Sequence, residues 1–260
     1  MNPSASAPPI ERPRRFHFDW LIPTLISPRR LFAQLAQHDG DTWLTPLLVL
    51  ALAALGRVWA VGNVRQVVAA SGQITLPPGS EFWTPEQQQQ FFQAQQATSS
   101  PMFIYGVPAI GALIGIFVGW VVVAGLLHLL LTLLGGRSST RTALNFVAWA
   151  NLPFAVREIV RLVYALSTQK LVVSPGLAGF LTADGTALNA FVVGLLALVD
   201  FYLIWHLVLI VIGARAAASL PLGKTAAAAV ITLALVLAAQ TAPGIIASQL
   251  GGLSFGGFFF

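Results

Sequence analysis

The 260-residue sequence contains no cysteine. That excludes disulfides, thiolate metal sites and cysteine catalysis, and it leaves the compartment open. Charge is scarce as well. Asp, Glu, Lys and Arg make up 9% of the residues, against about a quarter in ordinary soluble domains. From Gln87 to Gly136 no Asp, Glu, Lys or Arg occurs, and the next charged residue is Arg137. The signatures of common hydrolases are missing too. No HExxH run offers a zinc-protease helix, and no GxSxG elbow offers a serine nucleophile. A non-enzymatic chain without cofactor or metal is expected. The net charge of +5 is too small to suggest nucleic acid and bears instead on orientation in a membrane.

What is present is apolar: 56% of the residues are hydrophobic. The longest run, 106–136, would span about 45 Å as a helix, more than the ~30 Å hydrocarbon core requires. A bilayer accepts a helix that is apolar all round, because the helix satisfies its own backbone groups. Within this run Gly111, Gly115 and Gly119 recur every four residues and so share a face. Such a face lets another helix approach closely. The run therefore reads as the central span of an all-α, polytopic helix bundle.

Taken in order, residues 1–26 form a basic, Pro-rich tail that is expected to be disordered and cytoplasmic. No apolar segment of signal-peptide type follows the first arginines. Ser27-Pro28 then opens a short helix, with Ser as N-cap and Pro at its first position. Leu31, Phe32 and Leu35 lie on one face of it and Arg29, Arg30, Gln34 and Gln37 elsewhere, the pattern of an interfacial helix on a lipid leaflet. Five membrane spans follow at about 43–61, 103–135, 143–166, 188–213 and 225–249. Residues 71–102 form the one sizeable outer loop, where Thr84-Pro85-Glu86-Gln87 reads as a capping box. Pro153 and Pro243 are expected to kink their spans. Residues 251–260 are a short aromatic tail. Arg12, Arg14, Arg15, Arg29, Arg30, Arg137, Arg141, Arg215 and Lys224 fall on one side of the bilayer in this scheme, and only Arg65 and Lys170 on the other. Nine basic residues against two place the N-terminus in the cytoplasm and the C-terminus outside.

Charges inside or near the ends of spans are costly and point to function by default; here they are Arg57, Arg157, Glu158, Arg161 and Asp200. Counted from the basic ends, Arg57, Arg157 and Asp200 lie about 20–21 Å deep and Gln240 about 23 Å. Arg57, Arg157, Glu158, Asp200 and Gln240 are thus expected in one polar layer whose formal charges cancel. The layer either fixes helix register or lines a cavity for protons or a small anion. Only one span carries an aspartate, so an intramembrane aspartic pair has no second member. His128 and His206 fall on another level, about 10–12 Å from the basic ends, with no carboxylate beside them to complete a metal site.

The order of these pieces resembles the Yip family of five-span membrane proteins, named for interaction with Ypt/Rab GTPases. The resemblance rests on Pro28-Arg29-Arg30, on the glycine-rich span ending Leu134-Gly135-Gly136, on Ala148-Trp149-Ala150-Asn151-Leu152-Pro153, and on Asp200-Phe201-Tyr202-Leu203-Ile204-Trp205 running to Ile212-Gly213. It covers about residues 27–250 and implies five spans with a cytosolic N-terminus. Eukaryotic members also carry a DLYGP-type motif, which this sequence lacks. A prokaryotic-type member in a cytoplasmic membrane is therefore expected, without a Rab-type GTPase as partner. The expected function is a scaffold or adaptor that binds another membrane protein or a second copy within the lipid bilayer. A small transporter or channel using the polar layer is the alternative.

Overall fold

The structure is a computed structural model and describes residues 15–38, 40–70, 80, 83–172, 174–181 and 187–249. Among the described residues it is a helical bundle without strands. The expected aromatic tail 251–260, most of the expected tail 1–26 and, of the expected outer loop 71–102, residues 71–79 and 81–82 lie outside them.

Residues 18–26, expected within the disordered tail, are ordered. A 3-10 turn, Phe18–Trp20, leads into α1, Leu21–Ile26. Next comes α2, Pro28–Ala36, with Pro28 in its first turn. The expected amphipathic helix is there, but its apolar face does not lie on lipid. Leu31, Phe32 and Leu35 are buried in the main core, where α2 packs on α6 (Thr140–Ala150) and α9 (Phe201–Ala218). Short tethers hold it there. Thr42 N–H donates to Asn145 Oδ1 (3.0 Å), Asn145 Nδ2 donates to the Gly40 carbonyl (2.9 Å), and Trp149 Nε1 donates to Thr42 Oγ1 (3.1 Å). In lipid the same face would gain no packing advantage over the tails around it. The apolar side chains left exposed belong instead to the preceding segment: Phe16, Phe18, Ile22 and Ile26.

The long helices are α3, Leu44–Ala70, α5, Val107–Leu133, and α10, Leu222–Gln249. Between α3 and α5 lies α4, Pro85–Thr98, opened by the capping box: Gln87 N–H donates to Thr84 Oγ1 and Thr84 N–H to Gln87 Oε1. A π-helical turn, Met102–Gly106, leads into α5. There Tyr105 lies across Gly62 of α3, so close that an added Cβ would sit 2.1 Å from its ring. Tyr105 also donates to Asn63 Oδ1 (2.7 Å). Among the described residues, four helices are long and apolar enough to cross a membrane: Leu44–Val67, Met102–Leu133, Phe201–Ala218 and Leu222–Thr241.

Two of the five expected spans are broken, the fourth keeping Phe201–Ala218 as its long part. The third is α6 followed by α7, Leu152–Thr168, interrupted at Asn151. Proline at 153 was expected only to kink a continuous helix. Its missing N–H and ring instead end α6 and start α7. Phe154 N–H turns to the Asn151 carbonyl (2.9 Å), which leaves the Ala150 carbonyl without its regular helical donor. His206 Nδ1 supplies one at 2.7 Å. The fourth span is α8, Ala187–Leu198, followed by α9, with Val199 and Asp200 between them. Asp200 takes the N-cap position and its Oδ1 accepts from Leu203 N–H (2.9 Å). The Val199 carbonyl is satisfied from outside by Leu177 N–H (3.0 Å). Pro243 lies within α10, which is assigned as one helix to Gln249.

The core sits at the basic end. It joins α2, the second half of α5, α6, the second half of α9 and the start of α10, with Phe32, Phe146, Trp149, Leu127, Leu131 and Ile210 fully buried. At that end Gly135 closes α5 at φ +93°, a conformation that suits glycine. Lys224 Nζ donates to the Leu134 carbonyl (3.0 Å) and ties α10 to the same turn.

Candidate functional site

Away from that core, α3, α7 and the α8–α9 break meet around charged side chains. Glu158, on α7, is the centre and is buried. Its Oε2 accepts a close hydrogen bond from Arg57 Nε of α3. Its Oε1 faces Arg157 Nε at 3.4 Å and Arg161 Nη1 at 3.9 Å. Asp200 Oδ2 faces Arg157 Nη1 at 3.5 Å and Arg161 Nη2 at 4.0 Å. The break thus does two jobs: it frees Asp200 Oδ1 to cap α9 and turns Oδ2 toward α7. Arg157 is held from the other side, with its guanidinium 4.8 Å from the Phe154 ring centroid. That ring in turn packs against His206 at a tilt of 38°, centroids 4.6 Å apart. His206 therefore links the break in α6–α7 to the charged cluster.

The structure brings together Arg57, Arg157, Glu158 and Asp200. It does not bring in Gln240, which is exposed. The next residue, Thr241, packs on α8 near Gly194, and a helix turns about 100° per residue, so Gln240 points elsewhere. Arg161 enters as a third guanidinium, so the formal charges do not cancel. Its place was visible in the spacing: three residues after Glu158 and four after Arg157, it must share their helix face. His206 had a weaker signal. It stands alone on an apolar helix, and its partner is a carbonyl that only the break exposes.

The second expected site, the glycine face of α5, meets no neighbour among the described residues at Gly115 or Gly119. An added Cβ at Gly115 or Gly119 would meet nothing within 4 Å. Gly111 lies one helical turn before Gly115 on that stripe. The buried side chains of α5, Trp120, Val123, Ala124, Leu127 and Leu131, form the opposite face. The helix thus packs against α3, α6 and α10 through bulky residues, not through its glycines. Among the described residues no group of His, Asp and Glu is arranged to hold a metal ion.

A family model described as the Yip1 domain matches residues 22–242. No curated protein and no solved structure matches the chain.

Proposed function

This chain belongs to the Yip1 domain family, and on that footing we propose that it works as a non-enzymatic scaffold or adaptor for other proteins in the membrane. It is an integral, multi-pass membrane protein. One observation carries the proposal: on the Gly111, Gly115 and Gly119 stripe of α5, Gly115 and Gly119 face open space, while the other side of the same helix is packed. Small residues on a membrane helix let a second backbone approach, and dispersion and weak C–H···O contacts then hold the pair. The partner is a helix of another membrane protein or of a second copy. The chain crosses a prokaryotic cytoplasmic membrane five times, with α6–α7 as the third crossing and the N-terminus inside. The test is the Gly115→Leu variant, extracted in mild detergent from its host membrane. It should lose the chains or the second copy that the unaltered protein brings with it, while its own melting temperature stays put. Undiminished co-purification in Gly115→Leu and Gly119→Leu alike would remove the scaffold reading.

A second reading is favoured by the two broken spans meeting at a charged cluster. Transporter sites are often built where helices are interrupted. An ion-flux assay in sealed liposomes separates it from the scaffold, which carries nothing across.

A further inference from the structure

The charged cluster has more donors than its own carboxylates can accept. Each guanidinium offers five N–H groups, and three of them share the four oxygens of Glu158 and Asp200. One oxygen, Asp200 Oδ1, is already used by the Leu203 N–H, and a second, Glu158 Oε2, is held by Arg57. What remains for Arg157 and Arg161 is poor. The Arg157 Nε is buried without a hydrogen bond, Glu158 Oε1 lying 3.4 Å from it, and Nη1 of the same side chain donates to Asp200 Oδ2 only at a long 3.5 Å. Arg161 has contacts at 3.9 and 4.0 Å, well beyond the ~2.7–2.9 Å of a charge-assisted hydrogen bond. An uncompensated cation at this depth is costly. The side chains of Arg157 and Arg161 are 20% and 25% exposed, against 7% for Glu158, so the guanidiniums can be reached from outside and the central carboxylate cannot.

We infer that Arg157 and Arg161, backed by Arg57, bind one phosphate-class oxyanion beside the α8–α9 break. All three cations are arginines, whose planar forks match two oxygens of a phosphate at once; no lysine is present in the cluster. Phe154 beneath Arg157 fixes the direction of one fork. Arg161 lies about 6 Å farther along α7 than Arg157, away from the basic end. It stands about two turns before the end of α7 at Thr168, on the side of the cluster away from the basic end. The anion is either the headgroup of an anionic lipid or free phosphate. This inference does not depend on the scaffold proposal, since the glycine face of α5 takes no part in it.

The test uses the full chain, delipidated in a neutral detergent, with melting temperature and native mass spectrometry as readouts. Phosphatidylglycerol is compared with phosphatidylcholine, and inorganic phosphate with chloride at equal ionic strength. Saturable stabilisation by phosphatidylglycerol alone assigns the site to a lipid headgroup; saturable stabilisation by phosphate assigns it to a soluble anion. In either case Arg161→Gln should weaken the apparent affinity at least fivefold and Arg161→Lys less, because lysine keeps the charge and loses the fork. Asp200→Asn should strengthen it by removing a competing acceptor. Arg65→Gln, outside the cluster, should match the unaltered protein. The inference is overturned if neither anion stabilises the unaltered chain above its control, or if Arg161→Gln and Arg65→Gln bind alike.

Discussion

At the scale of single residues, Glu158 decides the cluster, because both α3 and α7 reach their charges through it. Arg57 has no other carboxylate contact among the described residues. Glu158→Gln leaves Arg57 and part of Arg157 without an anion, and a stranded buried charge costs about 3–5 kcal/mol. Removing Arg57 as well takes away the stranded cation. Glu158→Gln should therefore lower the melting temperature in detergent sharply, and Arg57→Gln in the same chain should recover part of the loss. A double variant that merely adds the two single losses would show that the pair is not coupled. His206 gives a second, smaller test. Its Nδ1 is the donor for the Ala150 carbonyl, so His206→Phe buries that carbonyl unsatisfied and should cost about 1–3 kcal/mol, read as a lower melting temperature. The paired arginines and acids were legible in the sequence, because depth counted along straight helices needs only the rise per residue. Gln240 escaped the count, since depth says nothing of direction. Arg161 was named among the charges of the spans but left out of the layer, although its spacing from Glu158 already placed it there.

At the scale of elements, the helices were readable from apolar runs, and their breaks only where a proline announced them. Pro153 marks the end of α6 in the sequence. The α8–α9 break has no such mark: one Asp in a continuous apolar stretch looks like a buried charge. It becomes a break because Asp200 caps α9 and because the 174–181 segment folds back to serve the Val199 carbonyl. Gly176 allows that approach. It has φ +62°, and an added Cβ would lie 2.7–2.8 Å from the carbonyl oxygens of Leu196, Ala197 and Val199. Close packing by glycine was expected on α5 and occurs elsewhere, since glycine spacing shows that an approach is possible but not whether a neighbour makes it. Gly62→Ala should drive a methyl into the Tyr105 ring and cost about 1–3 kcal/mol. Gly115→Ala meets open space and should leave the melting temperature level or raise it slightly, by up to ~1 kcal/mol of helix propensity. Equal losses in the two variants would mean that Tyr105 moves aside or that Gly115 is not open.

At the scale of the whole molecule, the basic residues at one end are tied to neighbouring segments as well as aligned. Arg141 pairs with Asp41 just before α3 (3.0 Å), and Lys224 donates to the end of α5. α2, with Arg29 and Arg30, packs on α6 and α9 beside them. These segments must therefore lie on the same side of the bilayer, and the nine-to-two excess of basic residues is the ground on which we propose the cytoplasmic side. The chain has no cysteine of its own, so a single introduced cysteine reports one position. Arg137→Cys and Gly223→Cys, both at exposed positions of the basic end, should be labelled by an impermeant thiol reagent only after the membrane is opened. Thr98→Cys and Lys170→Cys, exposed at the other end, should be labelled on intact cells. Lys170 is the deciding position, because it follows α6 and α7, the crossing made of two short helices. Labelling of Lys170→Cys on intact cells together with protection of Arg137→Cys requires α6–α7 to cross. Protection of both positions would mean that α6–α7 returns to the side it started from, and the five-crossing arrangement would fall with it.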